Sequence, residues 1–81
     1  MPLDLSEENI SRLHKKCQKQ NKDLYLFLKD EFPELNVEER LKYLATILND
    51  FFEDYEFDKD APRHKDDGYS IVKFFPKGIR E

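Results

Sequence analysis

Apolar residues recur along the first two-thirds of the chain at helical spacing. Ile10, Leu13, His14 and Cys17 fall on one face of a segment whose other face carries Arg12, Lys15, Lys16 and Lys19. Two N-cap registers are available upstream, Asp4 with Glu7 and Ser6 with Asn9. The pattern predicts a helix over about 6–20. Asn21-Lys22 breaks it, and Asp23 is placed to cap a second helix. The run Leu24-Tyr25-Leu26-Phe27-Leu28 suits a strand or a helix, but its continuation through Lys29-Asp30-Glu31-Phe32 places Leu24, Phe27, Leu28 and Phe32 on one helical face. A helix over about 23–32 is predicted, ended by Pro33, which drives the preceding residue out of helical geometry.

The third pattern is the longest. Asn36 and Glu39 form a capping box, with Leu35 placed to staple back onto Arg40 or Leu41. Val37, Leu41, Leu44, Leu48, Phe51, Phe52 and Tyr55 then form a stripe, with Ile47 at its edge. A helix over about 37–54 follows. Tyr43 and Leu26 lie off the main stripes, as exposed contacts or as part of a three-sided core. Residues 58–68 are polar and turn-forming, so they predict a loop. Residues 69–75, rich in aromatic and β-branched side chains and closed by Pro76, predict a strand. A strand must find a hydrogen-bonding partner. That partner is either Tyr55-Glu56-Phe57, if the third helix ends early, or a second copy of the chain.

These elements predict a mainly α (α+β) fold: a three-helix bundle followed by a C-terminal β-strand or small hairpin. The expected core is Ile10, Leu13, Cys17, Leu24, Phe27, Leu28, Phe32, Leu41, Leu44, Leu48, Phe51 and Ile71. At 81 residues the chain is read as one domain, 1–81. Charged residues make up 40% of it, yet seven Phe and four Tyr argue against disorder.

Charge changes this picture more than composition does. The net charge of −4 disfavours general attraction to nucleic acid or anionic lipid. It hides a polarised chain, however. Five basic and no acidic residues lie between Arg12 and Lys22, and six carboxylates face only Lys59 between Asp50 and Asp60. A single cysteine excludes an internal disulfide and fits a reducing compartment. Asp4, Glu7 and Glu8 stand where a signal peptide would be apolar, and no stretch is long and apolar enough to span a membrane. The expectation is a cytoplasmic protein with no membrane association.

Candidate chemistry is sparse. His14 and Cys17 are spaced to face one metal, but structural zinc needs four ligands and the only other histidine is His64. The same pair as a nucleophile lacks any oxyanion-binding signal. Both residues instead fit an apolar helix face. Taken from Asp58, an EF-hand loop would put Pro62 at its fifth position, Arg63 at its sixth and Tyr69 at its twelfth, so the calcium pattern fails. Asp66-Asp67-Gly68 is turn chemistry. No cofactor, metal or catalytic activity is expected.

What remains is a binding function. Glu53, Asp54, Tyr55, Glu56, Phe57 and Asp58 mix carboxylates with aromatics, a make-up suited to steering and anchoring a basic protein surface. The leading expectation is a small acidic protein–protein interaction module: an adaptor, regulator or inhibitor. A homodimer through the C-terminal strand is a further possibility. The alternative is a nucleic-acid-binding protein using Arg12, Lys15, Lys16 and Lys19. Such a face contacts phosphates and is salt-sensitive, but it offers little for reading bases. It could equally be a solvated helix face, or dock on the acidic end of the third helix.

Overall fold

The computed structural model describes residues 3–77. Three helices, α1 (Glu7–Gln20), α2 (Leu24–Glu31) and α3 (Val37–Asp50), are followed by a short 3-10 turn at Phe52–Asp54. Four short strands follow: β1 (Tyr55–Asp58), β2 (His64–Asp66), β3 (Tyr69–Ile71) and β4 (Lys73–Pro76). The α+β fold read from the sequence is the fold observed.

Each helix begins on a side-chain cap. Ser6 accepts from the N–H of Asn9, so the second of the two registers is the one used. Asp4 instead accepts from the N–H of Ser6 at 3.1 Å. Asp23 caps α2 through the N–H of Leu26, and Asn36 with Glu39 completes the capping box of α3. α1 ends at Asn21, whose left-handed backbone (φ 53°) lets its N–H return to the carbonyls of Cys17 and Gln18.

The core is centred on Ile10, Leu13, Cys17, Leu24, Tyr25, Phe27, Leu28 and Ile47, all essentially inaccessible to solvent. Along α3 the buried set is Val37, Arg40, Tyr43, Leu44 and Ile47, while Leu41, Leu48 and Phe51 only border the core. The inward face is therefore rotated from the predicted stripe. Tyr43 turns inward to stack on Phe32 at 5.0 Å, and Arg40 is drawn in by a carboxylate. Phe32 is likewise only partly buried. Leu26 stays 42% exposed.

α3 also stops earlier than the pattern suggests, at Asp50 rather than Asp54. Phe51 leaves helical geometry (φ −129°, ψ 40°), and Tyr55–Asp58 become a strand. That strand pairs antiparallel with β4, Tyr55 opposite Pro76 and Phe57 opposite Phe74. Partnership with the C-terminal strand outweighs continuation of the helix, because an unpaired strand leaves its backbone unsatisfied.

The predicted strand over 69–75 is extended but divided at Val72. β3 pairs with β2, His64 opposite Ile71 and Asp66 opposite Tyr69, while β4 pairs with β1. The predicted loop over 58–68 thus contains a strand at His64–Asp66. The β2–β3 hairpin turns on Asp67 and Gly68, with φ of 50° and 86°, the two left-handed residues of a type I′ turn.

Candidate functional site

Two polar clusters and two charged surfaces carry the unusual chemistry of the molecule.

The first cluster surrounds His14. Its ring stacks on Phe51 with centroids 4.0 Å apart, and its Nδ1 lies 3.1 Å from the Tyr55 hydroxyl. On the other side, Nε2 is 3.7 Å from Asp54 Oδ2. Burial pushes the imidazole below its ordinary pKa, partly offset by the Asp54 carboxylate. Cys17 is buried and donates to the carbonyl of Lys22 at 3.4 Å. Burial pushes its thiol up to about 11, and burial likewise raises Tyr55. These shifts favour a protonated thiol, the opposite of an activated nucleophile. Among the described residues no group of three or more His, Cys, Asp and Glu side chains could hold a metal ion.

The second cluster joins the β2–β3 hairpin to the helices. Asp23 is 3% exposed and serves three partners. Oδ2 caps α2 and lies 2.6 Å from His64 Nε2, while Oδ1 accepts from the N–H of Phe74 at 2.9 Å. Nearby, Asp66 accepts from the Tyr25 hydroxyl at 2.5 Å and lies 3.4 Å from Arg40 Nη1 and 3.7 Å from Lys29. The Tyr25 hydrogen bond does most to hold the Asp66 carboxyl below its usual pKa. The Arg40 guanidinium sits 5.9 Å from the Tyr25 ring centroid, and its Nε is buried with no acceptor among the described residues. Composition gave no sign of this cluster, because Asp23 and His64 are 41 positions apart, as are Tyr25 and Asp66. Asp23 thus ties the start of α2, the β2–β3 hairpin and β4 together through one carboxylate.

The acidic-aromatic segment is divided by the fold. Glu53, Glu56 and Phe57 are exposed, and Asp54 is partly turned toward His14. Asp58 Oδ1 accepts from the N–H groups of Asp60 and Ala61, each at 3.1 Å, which closes a local turn. Tyr55 is buried, contrary to its place among the predicted contact residues, because its ring and hydroxyl pack against His14. Phe52 takes its place on the surface. It was assigned to the apolar stripe of α3, yet it is 71% exposed, and Phe57 is 54% exposed. The stripe misplaces Phe52 because α3 ends at Asp50, which leaves Phe52 in the 3-10 turn while Phe51 stacks on His14.

The basic face holds together only in part. Arg12, Lys15, Lys16 and Lys19 are all exposed on α1 and line one shallow depression with Gln18. Arg12 donates to Asn9 within its own helix, and Lys16 pairs with Glu31 of α2 at 2.9 Å. Lys22 pairs with Asp30 at 2.7 Å. Lys16 is thus bound by α2 and not by the acidic end of α3.

No helix among the described residues is long and apolar enough to cross a membrane. No protein-family model, curated protein or solved structure matches the chain.

Proposed function

We propose that this chain is a small protein–protein interaction module, an adaptor, regulator or inhibitor without catalytic activity, whose contact surface is the exposed segment of the 3-10 turn and β1, with Phe57 on one side of the strand and Glu56 on the other. The observation that carries this reading is the exposure of Phe52 and Phe57, 71% and 54%, with Glu53 and Glu56 exposed next to them in the chain. The same domain buries Tyr25, Phe27, Tyr43 and Tyr55. Large aromatics held out in water gain most when a partner covers them, and carboxylates around them select a basic partner. The buried thiol of Cys17, raised well above its ordinary pKa, and the structural hydrogen bonds of Asp23 support a binding rather than a chemical role. A free thiol with no disulfide partner suits the cytoplasm.

Calorimetric titration with a short Lys-rich peptide tests the proposal. Binding is expected, weakening with added salt, and lost in the double variant Glu53→Lys/Glu56→Lys while its far-UV spectrum stays native. Equal binding by the variant would overturn it.

A second reading rests on α1. Lys15 and Lys19 are exposed and without an ion pair among the described residues. Such a face would bind a polyanion such as single-stranded nucleic acid through phosphates alone. Reversing Lys15 and Lys19 to Glu should then abolish a low-salt gel shift.

A further inference from the structure

We infer that the partner segment adds to the open edge of β1 as an antiparallel strand, in an extended stretch of the pattern basic–apolar–basic; this rests on the functional reading above.

The hydrogen-bond ladder identifies which edge is open. The N–H of Lys77 donates to the carbonyl of Asp54 at 2.8 Å, and the register places Glu56 opposite Phe75 and Asp58 opposite Lys73. In an antiparallel pair, bonded and non-bonded positions alternate. Glu56 and Asp58 therefore point their backbone groups at β4, while Phe57 and Phe74 point theirs outward. On the β4 side the outward N–H of Phe74 is taken by Asp23 Oδ1, and Pro76 has no N–H to offer. That edge is closed. On the β1 side the N–H of Tyr55 bonds to the carbonyl of Phe52, but among the described residues no strand is paired beyond Phe57. Past Asp58 the local turn carries the chain away. The open edge is thus short and centred on Phe57.

Geometry then sets the chemistry of the occupant. A residue bonded opposite Phe57 lies on the same face as the Phe57 ring, so an apolar side chain suits it. Its two neighbours project to the face of Glu56 and Asp58, where Lys or Arg is favoured. A second copy of the chain fits poorly. Antiparallel pairing of two β1 strands about Phe57 would set Glu56 of each against Asp58 of the other, and like charges directly opposite are unfavourable.

Three synthetic peptides distinguish the possibilities: one alternating Lys and Val, the same peptide N-methylated at its Val amides, and one with the same residues in separate blocks. Each is titrated into the intact chain by calorimetry at low salt, with amide hydrogen exchange followed at saturation. The alternating peptide should bind tightest, and N-methylation should weaken it about tenfold for a lost backbone bond. Exchange at the Phe57 amide should slow, while that at Phe75, already in the ladder, stays unchanged. The Phe57→Ala variant keeps the N–H and loses the ring, so it should bind more weakly yet remain sensitive to N-methylation. If all three peptides bind equally and Phe57 stays unprotected, strand addition is overturned and the acidic-face reading stands. If none binds, that reading fails and the inference with it. Concentration-dependent dimerisation of the chain alone, with Phe57 protected, would assign the edge to a second copy and also overturn it.

Discussion

The carboxylate of Asp23, at the start of α2, holds the imidazole of His64, on the β2–β3 hairpin, at 2.6 Å. The same carboxylate caps a helix and closes the outer edge of β4, so one buried side chain fixes where both small sheets sit. Replacing Asp23 with Ala should cost about 2–4 kcal/mol, combining a lost cap with a broken buried pair. Urea unfolding followed by circular dichroism checks this. A loss no larger than that of an ordinary exposed cap would show that the hairpin is held by other contacts.

Arg40 and Asp66 offer a contrasting case. Both are charged, Arg40 is 8% exposed, and its Nε is buried unsatisfied. Arg40→Met alone should destabilise the fold, since it leaves Asp66 with fewer partners. The double change Arg40→Met/Asp66→Asn should recover part of that loss, because Asn keeps an acceptor for the Tyr25 hydroxyl without leaving a half-buried charge short of its Arg40 partner. A double-mutant cycle on unfolding free energy reads the difference, and additive losses would contradict it.

The His14 cluster predicts acid sensitivity in a defined window. Burial lowers the folded-state pKa below its ordinary value of 6.5, so the unfolded chain binds the proton more readily. The stabilisation is complete above about pH 6.5 and is lost as pH falls below it. Urea midpoints measured from pH 7 to about 5 should fall in the parent chain and stay flatter in His14→Gln.

At the alkaline end the sign reverses. The Cys17 thiol is raised from 9.0 to about 11, and Tyr55 is raised as well. The unfolded state then releases protons first, and stability falls as pH rises from 9 toward about 11. For the thiol alone the loss is on the order of 2 kcal/mol. Cys17→Ala should start less stable but show a shallower alkaline slope. In the parent chain a thiol reagent should react with Cys17 only at the rate of unfolding.

At the hairpin turn, Gly68 has φ of 86° and open space where a Cβ would stand. Gly68→Ala should therefore cost about 1 kcal/mol through backbone conformation alone. A thermal melt registers it; no change would show that the turn is not held in this form.

The three helices were legible because their signals are local: caps at Asn36 and Asp23, a stop at Pro33, and apolar spacing around Ile10 and Cys17. The inward face of α3 was harder to read, because Arg40 is buried by a carboxylate that arrives from residue 66. Likewise nothing near Val72 announces that one extended run will serve two partners. The end of α3 depends on β4, a strand more than twenty residues away, claiming Tyr55–Asp58. The acidic-aromatic segment was visible as a composition. Which aromatics it exposes was not, since α3 ends early and leaves Phe52 in a 3-10 turn, while Tyr55 is held inward against His14.

The most direct measurement of the central claim is a residue-resolved one. The alternating Lys–Val peptide is titrated into the isotope-labelled chain, and backbone amide shifts are mapped by NMR. The account predicts that the shifts concentrate on Phe52, Glu53, Glu56 and Phe57 and leave Lys15 and Lys19 unmoved. Shifts spread evenly over the surface, or absent from β1 at saturating peptide, would contradict it.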